Sequence, residues 1–149
     1  MKQTKVNAII NDIESKEFAT EHGKNIHARM SKICFCNGSF VGADDIVANI
    51  KNNPELCEFM GALSHAEVPL AGYINGVFLS RRIDRLYINK NTKKIVVLDY
   101  KTDTNRNLYR EKYRVQLMEY YKLLKQIYPD FNIVCKILWL NDFTLENII

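Results

Sequence analysis

The sequence predicts an α/β (α+β) fold, a small mixed β-sheet flanked by helices. Three observations predict it: helical periodicity in the first third, three strand-like segments separated by turn residues in the middle, and a long helix followed by a last strand. The 149 residues, 47% of them hydrophobic, suffice for one core and fall short of two ordinary domains, so residues 1–149 read as a single domain.

From Ser15 to Ile33 the residues Phe18, His22, Ile26, Met30 and Ile33 recur at steps of three and four, the apolar stripe of an amphipathic helix. Cys36-Asn37-Gly38-Ser39 punctuates the chain. A second helix is expected from Ala43 to Ile50, and Asn52-Asn53-Pro54 ends it because proline disfavours helix in the residue before it. A short third helix is expected near Glu55 to Leu63. Strands follow over Glu67–Tyr73, Val77–Ile88 and Lys94–Lys101, with turns at Asn75-Gly76 and Asn89-Lys90-Asn91-Thr92, which reads as a meander. A helix from about Leu108 to Ile127, closed by Pro129-Asp130, precedes a last strand over Asn132–Leu140.

The formal charge of +4, from 21 basic and 17 acidic residues, tolerates a polyanionic partner without requiring one. The first residues lack the apolar run of a signal peptide, and no stretch has the length of a membrane helix, so a cytoplasmic protein with no membrane partner is expected. In a reducing compartment Cys34, Cys36, Cys57 and Cys135 are thiols rather than disulfides. Cys34-x-Cys36 lacks the two-residue spacer of zinc and cluster knuckles, and no second pair follows it.

Pairing Asn89 with Lys94 across the turn sets Ile88 against Ile95, Leu86 against Val97 and Asp84 against Asp99. Side chains alternate along strands, so an apolar face ends in two facing carboxylates, with Lys101 two residues beyond Asp99. At about 5 Å and an effective dielectric near 20 their repulsion is roughly 3 kcal/mol, which a bridging Mg²⁺ or Mn²⁺ would relieve. The bland alternative is a solvated rim carrying a surface ion pair.

Arg82-Ile83-Asp84-Arg85-Leu86, then Leu98-Asp99-Tyr100-Lys101-Thr102 with Asp99 fifteen residues from Asp84, then Tyr113-x-x-Gln116-Leu117-x-x-Tyr120, resemble the PD-(D/E)xK nuclease superfamily, and more narrowly its RecB/AddA-type nuclease domain. Gly23-Lys24-Asn25-Ile26-His27 resembles that subgroup's helix histidine, and Ala66-Glu67-Val68-Pro69 its strand-opening glutamate. The resemblance implies a restriction-endonuclease-like core and hydrolysis of DNA phosphodiesters in recombination and double-strand break repair, acting as exonuclease or endonuclease on DNA ends or single strands. It implies His27, Asp84, Asp99 and the Tyr100 carbonyl as ligands of Mg²⁺ or Mn²⁺, and Lys101 as the group that stabilises the transition state. Glu67 either supports the site or is a solvated strand end; Gln116, Tyr120 and Tyr113 line the DNA channel and brace the site, or the two tyrosines are core aromatics. Arg85 falls among Arg81, Arg82, Lys101, Arg106, Arg110, Lys112 and Arg114, basic residues that would track phosphates or are simply solvated. His22, His65 and Cys34 carry no assigned role. Two departures stand out: Arg81 replaces a common glycine, and only a short helix precedes the motifs in a domain that usually ends a helicase-nuclease. A helicase or an AddB/RecC-like subunit is thus an implied partner beside DNA. The alternative function is a catalytically silent DNA-binding or scaffolding module of a helicase-nuclease complex.

Overall fold

Asn37 and Gly38 take φ of 51° and 82°, and Asn75 and Gly76 take 50° and 78°, so both Asn-Gly pairs make two-residue turns with left-handed backbone at each central position. The computed structural model in which these turns appear describes Ile10 and residues 21–149. Each turn closes an antiparallel hairpin. The first joins β1 (Cys34–Cys36) to β2 (Ser39–Val41), and the second joins β3 (Ser64–Ile74) to β4 (Val77–Asn89). The sequence marks the first turn but not its strands, which at three residues each are too short for alternation to register.

The helices ahead of the sheet are α1 (Glu21–Ser31), α2 (Asp44–Lys51) and α3 (Pro54–Phe59). Residues 15–20 of the expected first helix lie outside the described residues. In α1 the inward residues are Gly23, His27 and Met30; Met30 and Ile33 are buried and Ile26 packs on the core as the expected stripe has them, while His22 is exposed. His27 meets Asp84 and the Tyr100 ring there, a contact that apolar periodicity does not register. In α2, Ile46 and Ile50 lie four apart and both are buried. Pro54 occupies the first helical position of α3, and the Asn53 side chain accepts from Glu55 N at 3.0 Å, which caps the helix.

β4 and β5 (Lys94–Lys101) pair in the register that alternation predicts, from Asn89 opposite Lys94 to Leu86 opposite Val97. α4 (Arg106–Ile127) then returns the chain, so that β6 (Asn132–Trp139) lies parallel to β5. A fifth strand, β7 (Thr144–Asn147), pairs antiparallel with β6 and gives the order β3-β4-β5-β6-β7. Its four mixed residues, Thr-Leu-Glu-Asn, carry no alternating apolar signal, and the sequence reading ends at the fourth strand of this sheet.

α4 covers one face of the sheet with Leu117, Tyr120 and Leu124 against Leu86, Ile95, Val97 and Ile137. The helices before the sheet cover the other with Met30, Ile46, Ile50 and Leu56 against Val96, Leu98, Tyr100 and Leu138. β5 is therefore buried on both faces, as its near-continuous apolar run requires. Among the described residues no helix is long and apolar enough to cross a membrane.

Arg85 fastens these layers. Its guanidinium is buried and donates to the Tyr100 hydroxyl at 3.2 Å, to Ser64 Oγ at 3.4 Å, and to the Met30 and Ile33 carbonyls at 3.2 and 2.8 Å. It ties the end of α1 to the sheet from within the protein and does not face a solvent groove. Arg85→Ala would strand two buried carbonyls, so we expect a loss of roughly 3–5 kcal/mol in urea unfolding, with Arg85→Lys recovering little because it lacks the fork of donors. A loss below about 1 kcal/mol would contradict this role.

Candidate active site

The β4–β5 ladder stops at Arg85 opposite Leu98, one pair short of the two aspartates. β3 is interrupted at the same level: Ala66 pairs with Arg85 and Val68 with Ile83, while the intervening Glu67 has φ of 56°, a left-handed conformation that costs a glutamate energy. Freed from a pairing partner, Asp84 accepts the Tyr100 backbone N–H at its Oδ2 at 2.8 Å. Its other oxygen lies 3.8 Å from His27 Nδ1 on α1.

Asp99 and Lys101 leave β5 on the α4 side, and their charged groups meet at 2.9 Å between Oδ2 and Nζ. Lys101 Nζ also donates to Gln116 Oε1 at 3.1 Å and lies 4.5 Å from the centre of the Tyr113 ring, a cation–π contact. Gln116 in turn donates to the Tyr120 hydroxyl at 3.0 Å. Spacings of three and four along α4 put Tyr113, Gln116 and Tyr120 on one buried face. The tyrosines belong to the core and brace the lysine and glutamine at once. Asp84, Asp99, Lys101, His27 and Gln116 are all below one-tenth exposed, which rules out the solvated rim.

Burial first, and the Asp99 charge second, push the Asp84 carboxyl up to about 7; His27, the Tyr100 N–H and Lys101 only partly offset them. Two buried carboxylates thus share a single nearby ammonium, and none of the described groups makes a well-aligned hydrogen bond to Asp99 Oδ2. An under-compensated pair of hard oxygen donors beside an imidazole suits a divalent cation. Among the described residues no three His, Cys, Asp or Glu side chains already form a cradle, and Asp99 lies 2.9 Å from the Lys101 ammonium.

The remaining expected residues are placed differently. Glu67 is half-buried and pairs with Arg82 at 2.7 Å, beside the interruption rather than inside the acidic cluster. The basic residues around the site have internal partners. Arg81 reaches Glu119 at 2.6 Å, Arg106 reaches Asp142 at 2.8 Å, Arg110 reaches Glu146 at 2.5 Å, and Arg114 donates to the Ile148 carbonyl at 3.1 Å. Arg81 thereby uses the position of the missing glycine to pin β4 to α4. Asp103 is a site neighbour that sequence reasoning passes over: it accepts from the Tyr113 hydroxyl, and its position two residues past Lys101 is the signal that marks it.

A mixed sheet with two acids and a lysine grouped at the end of its central strand, braced by a glutamine from the crossover helix, has the form of a nuclease of restriction-endonuclease-like fold. The sequence model of the PD-(D/E)XK nuclease superfamily matches residues 42–136, more than half of the chain, and the chain belongs to that superfamily. Its members are generally nucleases and typically use divalent metal ions. A comparison with curated proteins gives no match.

The raised carboxyl makes stability depend on pH in a set direction. The folded metal-free chain keeps a proton that the unfolded chain releases near 3.8, so stability falls as pH rises from there through about 7. We expect thermal unfolding in EDTA to show this fall, and Asp84→Asn to flatten it and raise Tm near neutral pH. A wild-type Tm that rises across the same interval, with Asp84→Asn no more stable, would refute the assignment.

Proposed function

We propose that this chain is a Mg²⁺- or Mn²⁺-dependent deoxyribonuclease of the RecB/AddA type, hydrolysing phosphodiester bonds at DNA ends or in single strands during recombination and double-strand break repair. The observation that carries the reading is the buried group of Asp84, Asp99 and Lys101 braced by Gln116. In this reading Asp84, Asp99, His27 and the Tyr100 carbonyl hold the ion. A bound Mg²⁺ or Mn²⁺ supplies Lewis-acid polarisation of the phosphate and makes an attacking water more acidic.

The rest of the work falls to the chain. Lys101 is a fixed positive charge, oriented by Asp99, Gln116 and Tyr113, and it neutralises the charge that grows on phosphate oxygens as water adds to phosphorus and the ester oxygen leaves. Gln116 holds the lysine rotamer, with Tyr120 behind it. The Tyr100 N–H fixes one oxygen of Asp84 and so aims the carboxylate. Glu67 supports this arrangement from the strained strand beside it. A helicase or an AddB/RecC-like subunit that delivers DNA ends is the partner class that this reading implies. The alternative is a catalytically silent DNA-binding or scaffolding module, in which the Lys101 ammonium offsets the Asp99 charge.

End-labelled single- and double-stranded DNA incubated with EDTA, Mg²⁺ or Mn²⁺ tests the reading. Metal-dependent cutting is expected, reduced roughly 10²-fold or more by Asp99→Ala and by Lys101→Ala. DNA retained without cutting under every condition would favour the silent module. Gln116→Leu is expected to lower kcat by roughly tenfold with KM little changed, since Gln116 reaches substrate only through Lys101. A rise in KM alone would instead make it a DNA contact.

A further inference from the structure

The hairpin of β3 and β4 has one face packed and the other open. Leu70, Ile74, Leu79 and Ile83 are buried in the core that α4 covers, and Gln126 of that helix donates to the Tyr73 carbonyl at 2.8 Å, so the tip is held against the helix. Gly72 lies so close to α4 that a Cβ there would meet Leu123 at 3.0 Å. The open face carries Tyr73 and Phe78, partners across the Asn75-Gly76 turn, 64% and 57% exposed, with ring centroids 5.4 Å apart. Neither ring belongs to a core cluster among the described residues.

The pair opens a strip that leads toward the acidic centre. Alternation along β4 puts Phe78, Ser80 and Arg82 on this face, all exposed, and two residues further along the strand is Asp84. Ala71 stands opposite Ser80 and Pro69 opposite Arg82, so small residues floor the strip between the rings and the arginine. Arg82 pairs with Glu67 at 2.7 Å while its side chain is 58% exposed, a surface ion pair of little strength that a phosphate can exchange. From Phe78 to Asp84 the strand runs about 20 Å. That is the length of about six nucleotides at the stacked spacing of 3.4 Å, and of fewer when the strand is extended.

We infer that this face is a stacking platform for single-stranded DNA, on which bases rest against Tyr73 and Phe78 while the backbone passes Arg82 toward Asp84; the choice of DNA rests on the nuclease reading above. Continuity with the acidic centre, with an exposed cation in between, is what selects a nucleic acid over a protein for this face. Aromatic rings stack on every base, so the contact adds affinity without selecting sequence. In a duplex the base faces are already stacked on one another. The platform therefore favours single strands.

The test is fluorescence anisotropy of an end-labelled single-stranded oligonucleotide with the whole chain in EDTA, with unlabelled duplex as competitor. Tyr73→Ala and Phe78→Ala are each expected to weaken binding roughly fivefold or more, and Phe78→Leu as much, because leucine keeps apolar bulk without a ring. Phe78→Trp is expected to hold the wild-type affinity. Both positions are exposed, and circular dichroism checks that each variant keeps the fold. No binding by wild type, unchanged affinity in folded Tyr73→Ala and Phe78→Ala, full affinity in Phe78→Leu, or duplex competing as well as single strand overturns the platform. So does a dimer that these variants lose with DNA affinity intact, which would give the face to a second copy of the chain. A chain that cuts DNA but binds it equally well without the rings loses the platform and keeps the nuclease reading; one that binds through the rings and cuts nothing does the reverse.

Discussion

Burying two carboxylates beside a single ammonium is the constraint around which this structure is arranged. At the end of β5 Asp99 has the Lys101 ammonium at 2.9 Å but no well-aligned hydrogen bond to its Oδ2 among the described groups, and Asp84 is left with a peptide N–H and a nearby imidazole. Desolvation and mutual repulsion then raise the Asp84 carboxyl to about 7. A hydrophobic pair at the same depth would cost the fold much less. The departure from the best-packed solution falls at one end of the central strand, where chemistry rather than stability accounts for it.

The geometry around the pair follows from that constraint. The β4–β5 ladder ends early so that Asp84 can turn to the Tyr100 N–H, and Glu67 at the same level of β3 takes a left-handed backbone. Tyr100 joins the two faces of the sheet. Its N–H holds Asp84, and its hydroxyl accepts from Arg85, which grips the last carbonyls around the end of α1. α1 in turn carries His27. The imidazole, the acid and the sheet are thus positioned by one connected set of buried hydrogen bonds, with its cation on one face and its anions toward the other. Such networks hold a unique arrangement when every member is satisfied, and here the acids are the members that are not.

Charge outside the centre is spent differently. Arg81, Arg82, Arg106 and Arg110 each meet a carboxylate, and Arg106 also covers the Trp139 ring at 4.8 Å. These pairs tie β4, α4 and β7 together around the site. These four arginines thus each have a carboxylate partner in the fold, with the Arg81 side chain largely buried and those of Arg82 and Arg110 about half exposed.

Local order in the chain is enough to read the sheet's central register, the Asn75-Gly76 turn, the crossover helix and the shared face of Asp84, Asp99 and Lys101, while Gln116 joined them only through the family resemblance. These follow from side-chain alternation, turn chemistry and helical spacing, which operate over a few residues and are written in the local order of the chain. Only in the folded chain does it emerge that Arg85 is an internal clamp, that Glu67 pairs with Arg82, and that β7 closes the sheet. Each of these depends on what a residue meets across tens of positions in sequence. The free energy of a buried charge is set by the partners that surround it, and residue identity and spacing do not specify those partners.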